Sequence, residues 1–111
     1  MIYVRDTKKS TIKKIVKVDS SLRDLIPKFV GNMKRDVKVM FEAVLSQNLE
    51  LIIQISHRLR GDAPGYGFVE FGETCGQLED HARQGHIEVC EELTKELTKL
   101  IESVEIEFVE S

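Results

Sequence analysis

Apolar residues recur at intervals of three and four along most of the chain, and the breaks in that period divide it into elements. Phe29, Val30, Met33, Val37, Met40, Phe41, Val44 and Leu45 form one stripe, which predicts a long helix from about Pro27. Lys28, Lys34, Arg35 and Lys38 occupy its wet side. Gly31 either weakens this helix or marks close packing against another. Ahead of it, Ser21 with Asp24 fits a capping box, and Leu22, Leu25 and Ile26 fit a short helix over 20–26 that Pro27 interrupts. Ser46-Gln47-Asn48 reads as a tight turn. The next helix, about 48–63, buries Leu49, Ile52, Ile55 or Ser56, and Leu59. Pro64-Gly65-Tyr66-Gly67 ends or kinks it, with the proline pushing Ala63 away from helical geometry. The period resumes on Phe68, Phe71, Gly72, Cys75, Leu78 and Ala82, and Gly85 takes the place just past a helix end. A last helix over 86–103 carries Ile87, Cys90, Leu93, Leu97, Leu100 and Ile101, with Val104 continuing the stripe.

Four substantial helices with short connections predict an all-α fold, an antiparallel up-down four-helix bundle over about 19–103 with a short N-terminal helix. The tails, 1–18 and 104–111, lack helical period. Residues 11–19 mix β-branched residues with lysines, and 104–110 alternate Glu105 and Glu107 with Ile106 and Phe108. One segment is basic and the other acidic, so they either pair as short strands beside the bundle or fray.

Composition narrows the class. A chain of 111 residues holds one domain, and 41% hydrophobic with 32% charged residues is the balance of a soluble globular protein. No apolar run approaches a membrane span, and the first ten residues lack the apolar stretch of a secretory signal. The two cysteines are then expected as reduced thiols in a cytoplasmic protein. The net charge of −3 conceals a polarity: thirteen Lys/Arg against six Asp/Glu in residues 1–61, and three against thirteen in residues 62–111. The lysines have no interleaved aromatics, so nucleic acid is not the expected partner. Most of these charges read as solvated faces, and those near His57 suit an acidic protein partner.

Candidate chemistry lies in the segment from His57 to Phe68. His57, Arg60 and Gly61 share one helical stripe, since i, i+3 and i+4 stack. His57 is five residues from Ile52, roughly 140° round the helix, so it faces away from the buried stripe. Gly61 costs about 1 kcal/mol relative to alanine inside a helix and offers close approach in return. The stripe therefore presents a nucleophile or ligand, a fixed positive charge and a gap. Cys75, His81, His86 and Cys90 include an i, i+4 ligand pair, His86 and Cys90, but both cysteines fall on apolar stripes, which disfavours zinc.

His57-x-Leu59-Arg60-Gly61, then Gly67-Phe68, Leu78-Glu79 and Gly85, at this spacing, resemble the signature of histidine-containing phosphotransfer (HPt) domains. The resemblance covers about 19–102. It departs at Asp62-Ala63-Pro64, where the family usually carries small residues; Asp62 adds a negative charge near the site. The resemblance implies a phosphoryl relay between His57 and aspartates of receiver domains in two-component signalling. His57 would be the phosphoacceptor, Arg60 the stabiliser of phosphoryl charge, and Glu79 the residue that orients the imidazole. Glu79 also stands at i, i+4 from Arg83, the spacing of an ordinary surface pair. Gly61, Arg58, Ile53 and Pro64 would contact the partner, although Arg58 also reads as a solvated basic neighbour. The receiver would pack over the His57 face of the 48–63 helix and the long helix before it.

No phosphate-binding glycine loop is present, so the implied protein is a phosphotransfer intermediate without kinase activity of its own. It needs no cofactor; Mg²⁺ is expected from the receiver. The implied partners are response regulator receiver domains and hybrid histidine kinases, with no nucleic acid and no membrane, and the chain is expected to be a monomer. The initiating Met1 and the lack of a trailing linker favour a free-standing shuttle over the phosphoacceptor piece of a chemotaxis-type kinase. A third reading is a module that binds receivers without exchanging phosphate, which an intact His57, Arg60 and Gly61 disfavours.

Overall fold

A short basic strand leads into the helices and a short acidic strand leads out, and the two pair. The computed structural model describes residues 14–110. In order it holds β1 (Lys14–Asp19), α1 (Ile26–Leu45), α2 (Leu49–Asp62), α3 (Val69–Arg83), α4 (Ile87–Glu102) and β2 (Val104–Val109). The protein is thus mostly helical, a helical bundle with a two-stranded sheet beside it. Of the two expectations for the tails, pairing is realised over the described residues; 11–13 of the expected strand lie outside them. The strands run parallel, with Lys14 opposite Val104 and Lys17 opposite Glu107. Val18 is buried and joins the helical core.

The helices bury the faces their periods mark. α1 packs against α2 and α4, and α3 packs against the same two, closing a ring. Met33, Met40, Ile52, Leu59, Leu78 and Leu97 are its largest fully buried side chains. Leu45 departs from the expected stripe: as the last residue of α1 it is 78% exposed, while Ala43, two residues earlier, is buried. Gly31 has open space around it, so it does not mark close packing.

The expected helix over 20–26 is a single 3₁₀ turn, Ser20–Leu22. Its start is capped by the Asp19 carboxylate, which accepts from Ser21 N–H at 2.9 Å. The chain then enters α1 directly, with Pro27 in the first turn, where a missing N–H costs nothing.

The segment after α2 also differs from expectation. Ala63 keeps helical dihedrals, and Pro64 lies in the first turn of a 3₁₀ segment, Ala63–Tyr66, that follows α2 without a break. Gly67 ends it with a φ of 95°. A Cβ there would lie 2.6 Å from the Lys17 carbonyl oxygen, so glycine is required both by the turn and by contact with β1. Tyr66 stacks on Phe29 of α1, with ring centroids 4.0 Å apart, and Phe29 also contacts Phe68. These rings hold the end of α2 against α1. At the other turn Gly85 has φ 78°, and His86 N–H returns to the His81 carbonyl, closing α3 as its glycine predicts.

Candidate functional site

α2 starts at Asn48, whose side chain accepts from Leu51 N–H at 3.2 Å. From there Ile52, Ile55, Ser56 and Leu59 turn inward and His57 turns out, as the period requires. The His57 side chain is 69% exposed. Its Nδ1 lies 2.9 Å from Oε2 of Glu79 on α3. An ionised carboxylate only accepts, so Nδ1 carries the proton and donates. In the neutral ring Nε2 then keeps its lone pair, and it is the nitrogen left on the open side.

Glu79 is the centre of this arrangement. Its side chain is only 4% exposed, yet it accepts from three side chains. Arg83, one turn further along α3, reaches Oε2 with Nε at 3.1 Å and Nη2 at 2.8 Å. Arg60 of α2 reaches Oε1 with Nη1 at 3.2 Å. Burial alone would raise the Glu79 carboxyl; hydrogen bonds from Arg83, Arg60 and His57 outweigh it and hold the group below the ordinary carboxylate value. A buried carboxylate with this many charge-assisted bonds stays ionised and holds its direction.

Arg60 is half-exposed and also approaches Asp80, at 3.7 Å. Its stem lies over Gly76, where a Cβ would stand 3.2 Å from Arg60 Nε. Pro64 rests on Gly72 in the same way: a Cβ there would be 2.8 Å from the proline Cγ. Gly72 and Gly76, four residues apart on α3, thus make a trough for the residues that follow His57. α2 ends at Asp62, ahead of the proline as expected, and Pro64 docks the 3₁₀ segment that follows it onto α3.

The other expected residues distribute around α2. A Cβ built on Gly61 meets nothing within 4 Å, so the surface beside His57 is open. Ile53 is half-buried and packs on the core. Arg58 turns toward α1 and forms a two-pronged pair with Asp36, at 3.1 and 3.0 Å. Asp62 also lies on that side, bordering the same recess as Arg58 and Tyr66, so its charge faces Arg58 and not the Glu79 cluster. Lys28, Lys34, Arg35 and Lys38 are exposed on α1.

Cys75 and Cys90 are buried free thiols, and His81 and His86 contact each other at 3.1 Å across the α3–α4 turn. Among the described residues no group of three or more His, Cys, Asp or Glu is placed to hold a metal ion. Hydrophobic periodicity marks Gly72 as a stripe position only and gives no sign of Gly76 or Asp80. A pair of glycines at i, i+4 facing the residues after His57 was the available signal. Arg83 was visible only as a surface partner of Glu79.

The family model for the Hpt domain matches residues 24–107, and the chain belongs to that family. No curated protein and no solved structure matches it. Membership supports a phosphotransfer role in two-component signalling and implies interaction with receiver domains or kinases. No helix among the described residues is long and apolar enough to cross a membrane.

Proposed function

We propose that this protein relays a phosphoryl group between His57 and the aspartates of receiver domains. The observation that carries the reading is the exposed His57 ring with Nδ1 held 2.9 Å from a buried carboxylate. In the forward step the Nε2 lone pair attacks phosphorus of an aspartyl phosphate. The Nε2–P bond forms, the P–O bond to the receiver breaks, and the receiver carboxylate leaves with the electron pair. The ring becomes cationic as it is phosphorylated, and the Glu79 carboxylate faces that charge across the Nδ1–H bond. Arg60, one turn along α2 from His57, answers the charge on the phosphoryl oxygens. Mg²⁺ belongs to the receiver's acidic pocket. Gly61 leaves room for the receiver; Ile53, Pro64 and Arg58 border the approach, with exposed lysines of α1 at the rim.

The reading includes a monomeric, cytoplasmic shuttle built on helices running alternately up and down. The same site would serve as the phosphoacceptor of a larger chemotaxis-type kinase. The test is incubation with a phosphorylated receiver and Mg²⁺, comparing wild type with His57→Gln. Label on wild type alone supports the relay. Receiver binding without transfer by either protein would make this a sequestering module.

A further inference from the structure

The two arginines on Glu79 are not equivalent. Arg83 arises from the same helix as Glu79, one turn on, and places two nitrogens on Oε2, the oxygen that also accepts from His57 Nδ1. Arg60 comes from α2, makes one longer bond to the other oxygen and divides its Nη1 with Asp80. Its stem lies on the Gly72–Gly76 trough, against no side chain of residue 76.

We propose that Arg83 is a positioning residue: it is the standing partner of Glu79 that fixes Oε2 for His57 and frees Arg60 to move to a phosphoryl group. The proposal rests on the phosphoacceptor reading of His57 for its second half only. A carboxylate that is 4% exposed cannot be left without counter-charge, because burying an unpaired anion is costly. If Arg60 swings one turn back to a phosphoryl oxygen, Oε1 loses its donor. Oε2 still holds the two Arg83 nitrogens and the imidazole N–H, so the anion remains compensated. Without Arg83, moving Arg60 would leave Glu79 on its imidazole bond alone, and Arg60 would stay where it is. Among the groups that hold the Glu79 carboxyl down, the Arg83 hydrogen bond is the largest. The bland alternative is a surface i, i+4 pair, which would change helix stability slightly and nothing else.

Arg83→Gln and Arg83→Lys separate the two. The first readout is the ¹⁵N shift of both His57 ring nitrogens in the unphosphorylated protein at neutral ring charge. Wild type should show the proton on Nδ1; Arg83→Gln should move it toward Nε2, and Arg83→Lys should restore it in part. The second is single-turnover transfer from a phosphorylated receiver. Arg83→Gln should slow transfer by about tenfold at saturating receiver, with half-saturation unchanged, and Arg83→Lys should recover part of the rate. Ring-nitrogen shifts and transfer rates that match wild type in Arg83→Gln would overturn the proposal. If wild type itself fails to transfer, the phosphoacceptor reading falls, and the ring-nitrogen shifts still decide whether Arg83 positions His57.

Discussion

Substitution of Gly61 should move stability and transfer in opposite directions. The residue lies in the last turn of α2, and a Cβ there meets nothing within 4 Å. The fold therefore gains by losing glycine's backbone freedom, about 0.5–1 kcal/mol for Gly61→Ala and nearly as much for Gly61→Arg. In a domain of this size that raises the thermal midpoint by about 2–8 °C. Transfer should respond differently, because residue 61 stands one turn beyond His57 on the same face. Attack needs phosphorus within about 3–3.5 Å of Nε2, and a displacement of about 1 Å costs on the order of 100-fold. A long arginine side chain between the two proteins exceeds that displacement. Gly61→Arg should transfer at least about 100-fold more slowly than wild type, with Gly61→Ala in between. Thermal melts by circular dichroism and single-turnover transfer measure the two quantities on the same samples. A Gly61→Arg protein that transfers at the wild-type rate, or melts well below it, would refute the open-surface reasoning.

Three further outcomes are expected. Gly72→Ala should lower stability by about 1–3 kcal/mol despite its better helix propensity. Its Cβ would stand 2.8 and 2.9 Å from two carbons of the Pro64 ring, and an unchanged melt would contradict that contact. Glu79 is held below the ordinary carboxyl value of 4.5 in the folded chain, so the unfolded chain takes up its proton first as the pH falls. Its contribution is complete above that ordinary value and lost as pH falls through the lowered folded one. Denaturant titrations should therefore show Glu79→Gln less stable than wild type near neutral pH and less sensitive to acid; parallel pH curves would contradict this. Burial, with Asp36 adding to it, pushes the Cys75 thiol up to about 12, and burial also raises Cys90. Neither should react with a disulfide reagent at about pH 8 until the chain unfolds, and a fast native phase would count against the core packing.

What the sequence made legible is what short-range geometry controls. His57 had to face out, because its angle to Ile52 follows from helix geometry alone. Gly67 and Gly85 marked turns, and both adopt positive φ. The network on Glu79 was less accessible. Spacing showed Arg83 at i, i+4 and left a surface pair as the simple reading, while the link to His57 came only from the family resemblance. Burial of the carboxylate decides how many partners it must gather, and burial depends on how α2 sits against α3. Gly76 was illegible for a related reason: a glycine inside a helix declares its cost, and its use appears only when Arg60 lies across it. Ala63 shows a local rule yielding, since Pro64 was accommodated by tightening the backbone to 3₁₀ geometry without leaving the helical region. Opposite charge left pairing of β1 with β2 as one of two readings beside frayed ends, and the parallel direction depends on where the helices return the chain.

On the proposed reading, His57 accepts phosphorus on Nε2 because Glu79 holds the proton on Nδ1. The most direct test is to phosphorylate the protein from a receiver and locate the phosphorus by ³¹P–¹⁵N NMR on ring-labelled histidine. One phosphohistidine is expected, at Nε2 of residue 57, labile to acid and stable to base, and absent from His57→Gln. Phosphorus on Nδ1, or label that persists in His57→Gln, would contradict it.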